Sequence, residues 1–225
     1  MDEDDLLPLN WRDILSAKDR AALGDAGFLH VPGVADAVAV QAMREAWTRA
    51  LQEPSETRGN NDGPAGLEKE PAFQPCLRHP YVMSAVAQML DGDVAFLGFR
   101  GRDPRKGSGQ QGFHVDFARP VPADQQRIAN VFWILDEMDE SNGATRLIPG
   151  SHRLNALPSR DLSQREARHP EARHVVARAG DVLIFSAHLW HGGSKNVTGA
   201  PRRIAMAHFG RREVTTMAGR DGVYG

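Results

Sequence analysis

The sequence predicts a mainly β fold preceded by a helical N-terminal part. From residue 93 onward, short runs of β-forming residues alternate with turn signals such as Asn142-Gly143. Several short strands at this spacing are typical of a sandwich or a barrel. Before residue 93, apolar residues recur at helical spacing. At 225 residues the chain is expected to form a single domain, helical over about 1–92 and β over about 93–212.

Three helices are expected in the N-terminal part. The first is short, and Ser16 with Asp19 forms a weak capping box at its start. The second covers residues 36–52 and has one apolar face, which carries Val40, Met43, Trp47 and Leu51. The third begins at Pro80, a residue favoured in a first helical turn, and turns Val82, Val86 and Met89 inward.

Residues 53–75 separate the second helix from the third. They are polar and rich in Gly, Pro and Asn, which predicts a long loop. Such a loop is either a lid over a binding site or a plain disordered segment, and the sequence leaves both interpretations open.

The β part contains seven runs that are expected to form strands. They cover residues 94–101, 112–117, 127–135, 144–149, 174–179, 181–190 and 203–209. Most are short and contain β-branched or aromatic residues, which is the pattern of half-buried strands.

Composition excludes several functional classes. The net charge of −2 comes without a long run of Lys or Arg, so the sequence offers no footprint for nucleic acid. No apolar stretch approaches the ~20 residues of a membrane span. Cys76 is the single cysteine, which rules out an internal disulfide and a cysteine-based metal cluster. An acidic N-terminus is the wrong sign for a secretory signal, so a cytoplasmic location is expected.

A possible metal site is formed by His114, Asp116 and a second histidine about 77 residues later. In an extended segment, residues i and i+2 project to the same side, so His114 and Asp116 can bind one ion together. Two imidazoles and one carboxylate are the three protein ligands of many non-haem Fe(II) sites. His191 is the preferred third ligand and His188 is its competitor. A surface hydrogen bond between His114 and Asp116 is the alternative without a metal.

Four motifs together resemble those of a known family. They are H-V-D at 114–116, W-I-L-D-E-M-D-E-S-N-G-A-T-R-L-I-P-G-S-H-R at 133–153, G-D-V-L-I-F at 180–185, and L-W-H-G-G-S-K-N-V-T-G-A-P-R-R at 189–203. In this order they resemble the phytanoyl-CoA dioxygenase family over roughly residues 16–212. The resemblance implies a double-stranded β-helix, or jelly-roll, core. It also implies Fe(II), 2-oxoglutarate as co-substrate, and O2.

The resemblance assigns roles to individual residues. The metal histidine of the family comes immediately before a glycine-rich turn, which favours His191 over His188. An arginine eleven residues later, Arg202, is implied to bind the far carboxylate of 2-oxoglutarate, and a guanidinium can do so with two parallel hydrogen bonds. Arg203 is adjacent and should face the other way. A surface Arg pair is the alternative without a ligand.

Three further residues, Gln111, Trp133 and Ser194, are implied to line the co-substrate pocket. The chain departs from part of the family here, because Gly193 occupies the position where many members have a serine. This departure puts a hydroxyl contact from Ser194 in question. Trp133 is also interpretable as an ordinary core residue.

The expected activity is hydroxylation of a C–H bond in a small molecule, with release of succinate and CO2. The carboxylate of Asp116 fills a position that related halogenases leave open for chloride, which favours oxygen transfer. Desaturation, epoxidation or cyclisation by the same cofactors, and a catalytically idle binding protein, are the alternatives. The substrate is not identified by the sequence, although a biosynthetic intermediate would suit the family. The roles of Arg100 and Arg102 and the oligomeric state are left open.

Overall fold

The computed structural model describes residues 6–52, 63–118 and 125–215. They include the α-helices Trp11–Ile14 (α1), Ala17–Asp25 (α2), Ala37–Ala50 (α3) and Pro80–Leu90 (α4), and residues 212–215 are also helical. They also contain eight strands: Phe28–Val31 (β1), Ala95–Arg102 (β2), Ile128–Ile134 (β3), Thr145–Leu147 (β4), Arg173–His174 (β5), Val182–Ser186 (β6), His191–Gly193 (β7) and Ile204–Gly210 (β8). Among the described helices, none combines the length and the apolar composition needed to cross a membrane.

The strands form two antiparallel sheets. The larger sheet has the order β1-β6-β3-β8-β2 and the smaller one has the order β5-β4-β7. One apolar cluster lies between the two sheets and includes Phe132 of β3 and Phe185 of β6. A second and larger cluster joins the outer face of the larger sheet to the helices and includes Val131 and Trp133 of β3. The predicted jelly-roll core is therefore confirmed, with a helical layer on one face.

The helices α2, α3 and α4 begin where the sequence predicts, whereas the short helix α1 was not predicted. The hydroxyl of Ser16 accepts a hydrogen bond from the backbone N of Asp19 at 3.1 Å. Asp36 caps α3 in the same way, accepting from Ala39 N at 2.8 Å. α4 starts at Pro80 and is buried on nearly all sides, because it lies between α1 and α2 on one side and β3 and β6 on the other.

β1 corrects the expectation that the first 92 residues are helical. It pairs antiparallel with β6, from Phe28 opposite Phe185 to Val31 opposite Val182, and so forms one edge of the larger sheet. Its start depends on Gly27, which has φ of +81° and would place a Cβ 2.4 Å from the His152 ring. A strand of four residues is too short for periodicity to distinguish it from a helix end.

The region 53–75, expected to be one long loop, is only partly described. Residues 53–62 lie outside the described residues. The rest is not a free loop: it contains one 3₁₀ helix at Leu67–Lys69 and most of a second at Pro71–Leu77. Leu67 and Phe73 are fully buried. Isolated apolar residues in a polar stretch carry no periodic signal, which is why the sequence did not indicate these anchors.

Candidate active site

The segment containing His114 and Asp116 runs beside β7 inside the jelly roll. His114 N donates to His191 O at 2.9 Å, and His191 N donates back to His114 O at 3.0 Å. Asp116 N donates to Ala187 O at 2.9 Å. The expected strand over 112–117 is reduced to this single bridge, since the backbone bends on either side of it. The pairing nevertheless brings both side chains toward His191.

These three side chains place their polar atoms close together. Asp116 Oδ1 lies 3.8 Å from His114 Nε2, and Asp116 Oδ2 lies 3.3 Å from His191 Nε2. One ligand atom from each of the three residues lies within 4.8 Å of the other two. Two imidazole nitrogens and one carboxylate oxygen at such separations can share a single transition-metal ion, leaving its other positions open.

The hydrogen bonds of the two imidazoles prepare them for a metal. His114 Nδ1 lies 3.0 Å from Gly112 O, and His191 Nδ1 lies 2.9 Å from Leu189 O. A carbonyl oxygen can only accept, so each Nδ1 carries a proton and each Nε2 keeps its lone pair in the neutral ring. Both lone pairs then point toward the carboxylate of Asp116. Metal-binding histidines are commonly oriented in this way.

The charges of the group depend on each other. Burial, followed by the positive charge of His191, lowers the pKa of His114 to about 4. Burial opposes protonation of His191 as well, but the carboxylate of Asp116 outweighs it and raises the pKa of His191. Burial favours the neutral form of Asp116, yet the two histidines hold its pKa below the usual range. A carboxylate is thus available at neutral pH, as a metal ligand must be.

Asp116 is oriented by residues that the sequence did not indicate. Asn130 of β3 donates from Nδ2 to Asp116 Oδ2 at 2.6 Å. His208 of β8 donates from Nδ1 to Asn130 Oδ1 at 2.8 Å. Asn130 and His208 face each other across neighbouring strands. The available signal was a polar residue within each apolar strand. The sequence alone does not show which residues of a strand face the interior of the jelly roll, so this signal could not be used.

A cavity of about 70 Å³ adjoins the group, and its walls come from five strands and the segment before His114. It is lined by His114, Asp116 and His191 together with Arg100, Arg102, Gln111, Phe132, Thr145, Gly192, Gly193, Arg202, Met206 and His208. Three guanidinium groups and one carboxylate line this space, so its charge suits an anionic ligand.

Arg202 lies just before β8 and is the most deeply buried of the three arginines. It is 1% exposed, makes no ion pair within the described part of the chain, and its Nε has no hydrogen-bond partner there. Burial, followed by the charge of Arg102, lowers the pKa of Arg202 to about 9, so it is a cation at neutral pH. The carboxylate of Asp103 offsets this effect only in part. A buried guanidinium without an ion pair is costly, and an anion in the cavity would compensate for it.

Arg203 faces the opposite way and is fully paired. Its Nε donates to Asp136 Oδ2 at 2.7 Å and its Nη2 donates to Asp136 Oδ1 at 2.8 Å. Adjacent residues point to opposite faces where the chain is extended. The bidentate pair therefore leaves Arg202 as the arginine of this dipeptide that lines the cavity.

Gln111 also lines the cavity, and two hydrogen bonds fix its side-chain oxygen. Its Oε1 accepts from Arg102 Nη1 at 2.7 Å and from Gly193 N at 3.0 Å. Arg102 in turn donates to Gly109 O at 3.3 Å. Arg102 is thereby fixed to the backbone of the segment that leads to His114.

Trp133 and Ser194 do not line this cavity. Trp133 belongs to the apolar cluster under the helices and its ring contacts His79, with ring centroids 6.1 Å apart. Its neighbour Phe132 lines the cavity, because side chains alternate along β3. Ser194 lines a separate depression on the outer side of the smaller sheet, with Arg146 and His174. This geometry does not support the two assignments that the resemblance implied, and the affinity for 2-oxoglutarate has to test them.

His188 is likewise placed outside the group. It lies in the turn between β6 and β7, where its Nε2 accepts from Arg127 N at 3.3 Å and its ring contacts Phe117. Burial lowers the pKa of His188 to about 4, which is consistent with a neutral packed imidazole.

Comparison with known proteins agrees with this architecture. The curated relative "Dioxygenase af480" of Aspergillus fumigatus is 26% identical over 91% of this chain and 72% of its own length. The crystal structure of HygX from Streptomyces hygroscopicus, with nickel, 2-oxoglutarate and hygromycin B bound, has a TM-score of 0.72 and 18% identity, covering 88% of both chains. The epimerase SnoN, in complex with Fe3+, alpha ketoglutarate and nogalamycin RO, has a TM-score of 0.66 and 21% identity over 86% of this chain and 82% of its own.

The two structural neighbours are distant in sequence and show that the fold is shared. The family model of phytanoyl-CoA dioxygenase (PhyH) matches residues 23–204, which is most of the chain and contains all three residues of the His–Asp–His group. The protein therefore belongs to the phytanoyl-CoA dioxygenase family and is an Fe(II)- and 2-oxoglutarate-dependent dioxygenase.

Proposed function

We propose that the protein hydroxylates a C–H bond of a small organic molecule, with conversion of 2-oxoglutarate to succinate and CO2. One observation carries this proposal. The His114, Asp116 and His191 group lines the same cavity as Arg202, a buried cation without an ionic partner in the described part of the chain. A metal site alone would suit many enzymes, but a metal site beside such an arginine suits a metal-binding dicarboxylate.

The residues fit ferrous iron. His114 and His191 would bind through Nε2, because their Nδ1 atoms are committed to backbone carbonyls. Asp116 would bind through a carboxylate oxygen, and the hydrogen bond from Asn130 Nδ2 to Asp116 Oδ2 would orient the carboxylate. Iron with 2-oxoglutarate would supply the oxidising power, and the protein's part is to position the substrate and to exclude water.

The residues also fit 2-oxoglutarate. Arg202 would bind the carboxylate far from the metal, and its Nε without a partner is the atom that such a ligand would satisfy. Gln111 and Arg102 would line the part of the ligand near the metal, since both residues share the cavity with His114. Trp133 and Ser194 have no part in this proposal.

Hydroxylation is preferred because Asp116 supplies a carboxylate where a halogenating site would keep an open position. Other outcomes, such as desaturation, epoxidation or cyclisation, would use the same residues and differ in how the substrate is placed. SnoN is an epimerase, so this fold hosts outcomes besides hydroxylation. HygX and SnoN were crystallised with hygromycin B and nogalamycin RO, which supports a small-molecule substrate and a role in a biosynthetic tailoring step. We propose no nucleic-acid or membrane partner.

The test is an anaerobic titration of metal-free protein with Fe(II) and 2-oxoglutarate, followed through the visible charge-transfer band of their complex. Wild-type protein should develop the band and His191→Ala should not. Arg202→Ala should need about 100-fold more 2-oxoglutarate, because it removes a buried charged hydrogen-bond donor worth several kcal/mol. Arg203→Ala is the matched control: it should be less stable, since Asp136 loses one of its two arginine partners and keeps only Arg44, but should bind 2-oxoglutarate normally. A well-folded wild-type protein without the band would overturn the proposal and favour an idle binding protein.

A further inference from the structure

A second cavity adjoins the one beside the metal-binding group. Its volume is about 240 Å³, and it is lined by Ala65, Gly66, Glu68, Leu97, Gly98, Phe99, Arg100 and His208. Arg100 and His208 line both cavities, so the two spaces meet at these residues. We call the second space the outer chamber. A substrate in it would approach the metal-binding group past Arg100 and His208.

Most of the outer chamber is formed by carbon atoms, and among the described residues that line it Glu68 is the one acidic residue. Glu68 Oε2 is buried and has no hydrogen-bond partner in the described part of the chain. A carboxylate oxygen removed from water without a partner is costly, usually by several times the value of an ordinary hydrogen bond. Such an atom calls for a donor, and no described residue supplies one.

The backbone before Glu68 is fixed by pairing with β2. Gly101 N donates to Pro64 O at 2.6 Å, and Ala65 pairs with Arg100, so the chain before Glu68 runs along the edge of β2. Leu67, immediately before Glu68, is fully buried. The carboxylate therefore cannot leave the chamber by a movement of its backbone without breaking this pairing.

The wall behind the chamber is also anchored. Phe73, in the following 3₁₀ helix, packs edge-on against Phe99 of β2, with ring centroids 5.3 Å apart. On the chamber floor, β2 contains a bulge between Phe96 and Gly98, and a Cβ at Gly98 would meet no atom within 4 Å. The space at this point of the strand is thus open, and a ligand can approach the backbone closely.

We propose that the outer chamber binds the body of the substrate and that Glu68 accepts a hydrogen bond from an amine or hydroxyl group at its far end. This inference rests on the proposed function, because it assigns the chamber to the substrate of the same site. The substrate class is then a small, largely apolar molecule with a donor group remote from the C–H bond that reacts.

The distribution of charge separates this ligand from 2-oxoglutarate. Arg100 lies at the junction of the two spaces, Arg102 and Arg202 line the inner cavity, and Glu68 lines the outer chamber. A dicarboxylate is drawn inward and repelled by Glu68, whereas a donor group is favoured at Glu68. The inner cavity therefore favours the dicarboxylate, and the end of the outer chamber at Glu68 favours a donor group, which keeps the co-substrate and the substrate in their own positions.

Three probes of similar shape test the inference: cyclohexylmethylamine, cyclohexylmethanol and cyclohexanecarboxylate. Their binding is measured by calorimetry, both on protein loaded anaerobically with Fe(II) and 2-oxoglutarate and on metal-free protein.

Wild-type protein should bind the amine or the alcohol at least about tenfold more tightly than the carboxylate, as expected for a hydrogen bond to a charged group. Glu68→Gln should remove most of this preference. A loss of amine binding alone identifies an ammonium partner, a loss of alcohol binding alone identifies a hydroxyl partner, and an equal loss for the amine and the alcohol shows that Glu68 accepts from either group.

Glu70→Gln is the matched control, since Glu70 lies two positions away and pairs with Arg49 outside the chamber. It should bind all three probes as wild type does. The inference is overturned if no probe binds, if all three bind equally, or if Glu68→Gln keeps the preference. The metal-free titration separates the two proposals. A missing charge-transfer band with retained selectivity removes the proposed activity alone, and a normal band without selectivity removes this inference alone.

Discussion

The two faces of the larger sheet differ in chemistry although they are built from the same strands. On β3, Val131 and Trp133 point outward into the apolar layer beneath the helices. The residues that alternate with them, Asn130 and Phe132, point inward to the metal-binding group and its cavity. The outer face is closed and apolar, whereas the inner face carries charges and hydrogen-bonding groups. One face serves mainly stability, and the other holds the site.

The inner face of the larger sheet contains a buried charge without an ion pair, which destabilises the fold, and the outer face does not. Arg202 is buried without an ionic partner in the described part of the chain, whereas Arg203, one residue further on, is held by two hydrogen bonds to Asp136. Burying a charge without its counter-ion destabilises a fold. A folded chain retains such a residue where a ligand supplies the missing charge, so the cost itself indicates a function.

The largest expected effect concerns the outer face. Trp133→Ala should lower the free energy of unfolding by about 3–5 kcal/mol, because it removes a large buried side chain and leaves a cavity. The folded fraction should still bind 2-oxoglutarate with wild-type affinity. Urea denaturation and the anaerobic titration together check both statements. A weaker affinity for 2-oxoglutarate with unchanged stability would place Trp133 in the site and remove the distinction between the faces.

An intermediate effect is expected on the inner face of the same strand. Asn130→Ala should weaken Fe(II) binding by about 10–100-fold, because groups that orient a metal ligand typically contribute that much. Its neighbour on the outer face provides the control: Val131→Ala should reduce stability and leave the metal affinity unchanged. Competition with a chelator of known affinity measures both. Equal metal affinities in the two variants would show that Asp116 is oriented without Asn130.

The smallest effect is expected at Ser194. Ser194→Ala should change the affinity for 2-oxoglutarate by less than about twofold, since its side chain lines the depression outside the smaller sheet. A direct hydrogen bond to the co-substrate is worth about 1 kcal/mol, or roughly fivefold. A roughly fivefold loss of affinity for 2-oxoglutarate in the titration would show that Ser194 contacts the co-substrate, as the resemblance implied.

The sequence by itself determined the chemistry of the site and the class of the fold. His114 and Asp116 were found from their spacing, and His191 and Arg202 from motifs whose order resembles one family. Helix starts at Ser16 and Pro80 were also predicted. These features are local, since capping and ligand spacing depend on residues a few positions apart. They can therefore be predicted without knowledge of the fold.

The tertiary structure decided which face each side chain occupies. The side-chain period of a strand is two residues, so an error of one position exchanges the inner and outer faces. That is why Trp133 was assigned to the pocket when Phe132 lines it, and why Asn130 and His208 were missed. β1, with four residues, became a strand by pairing with β6, and the segment before Glu68 is placed by the bridge from Ala65 to Arg100 of β2, both partners being far away along the chain. Contacts between distant segments carry no signal in the local pattern, so these parts of the site required the folded chain.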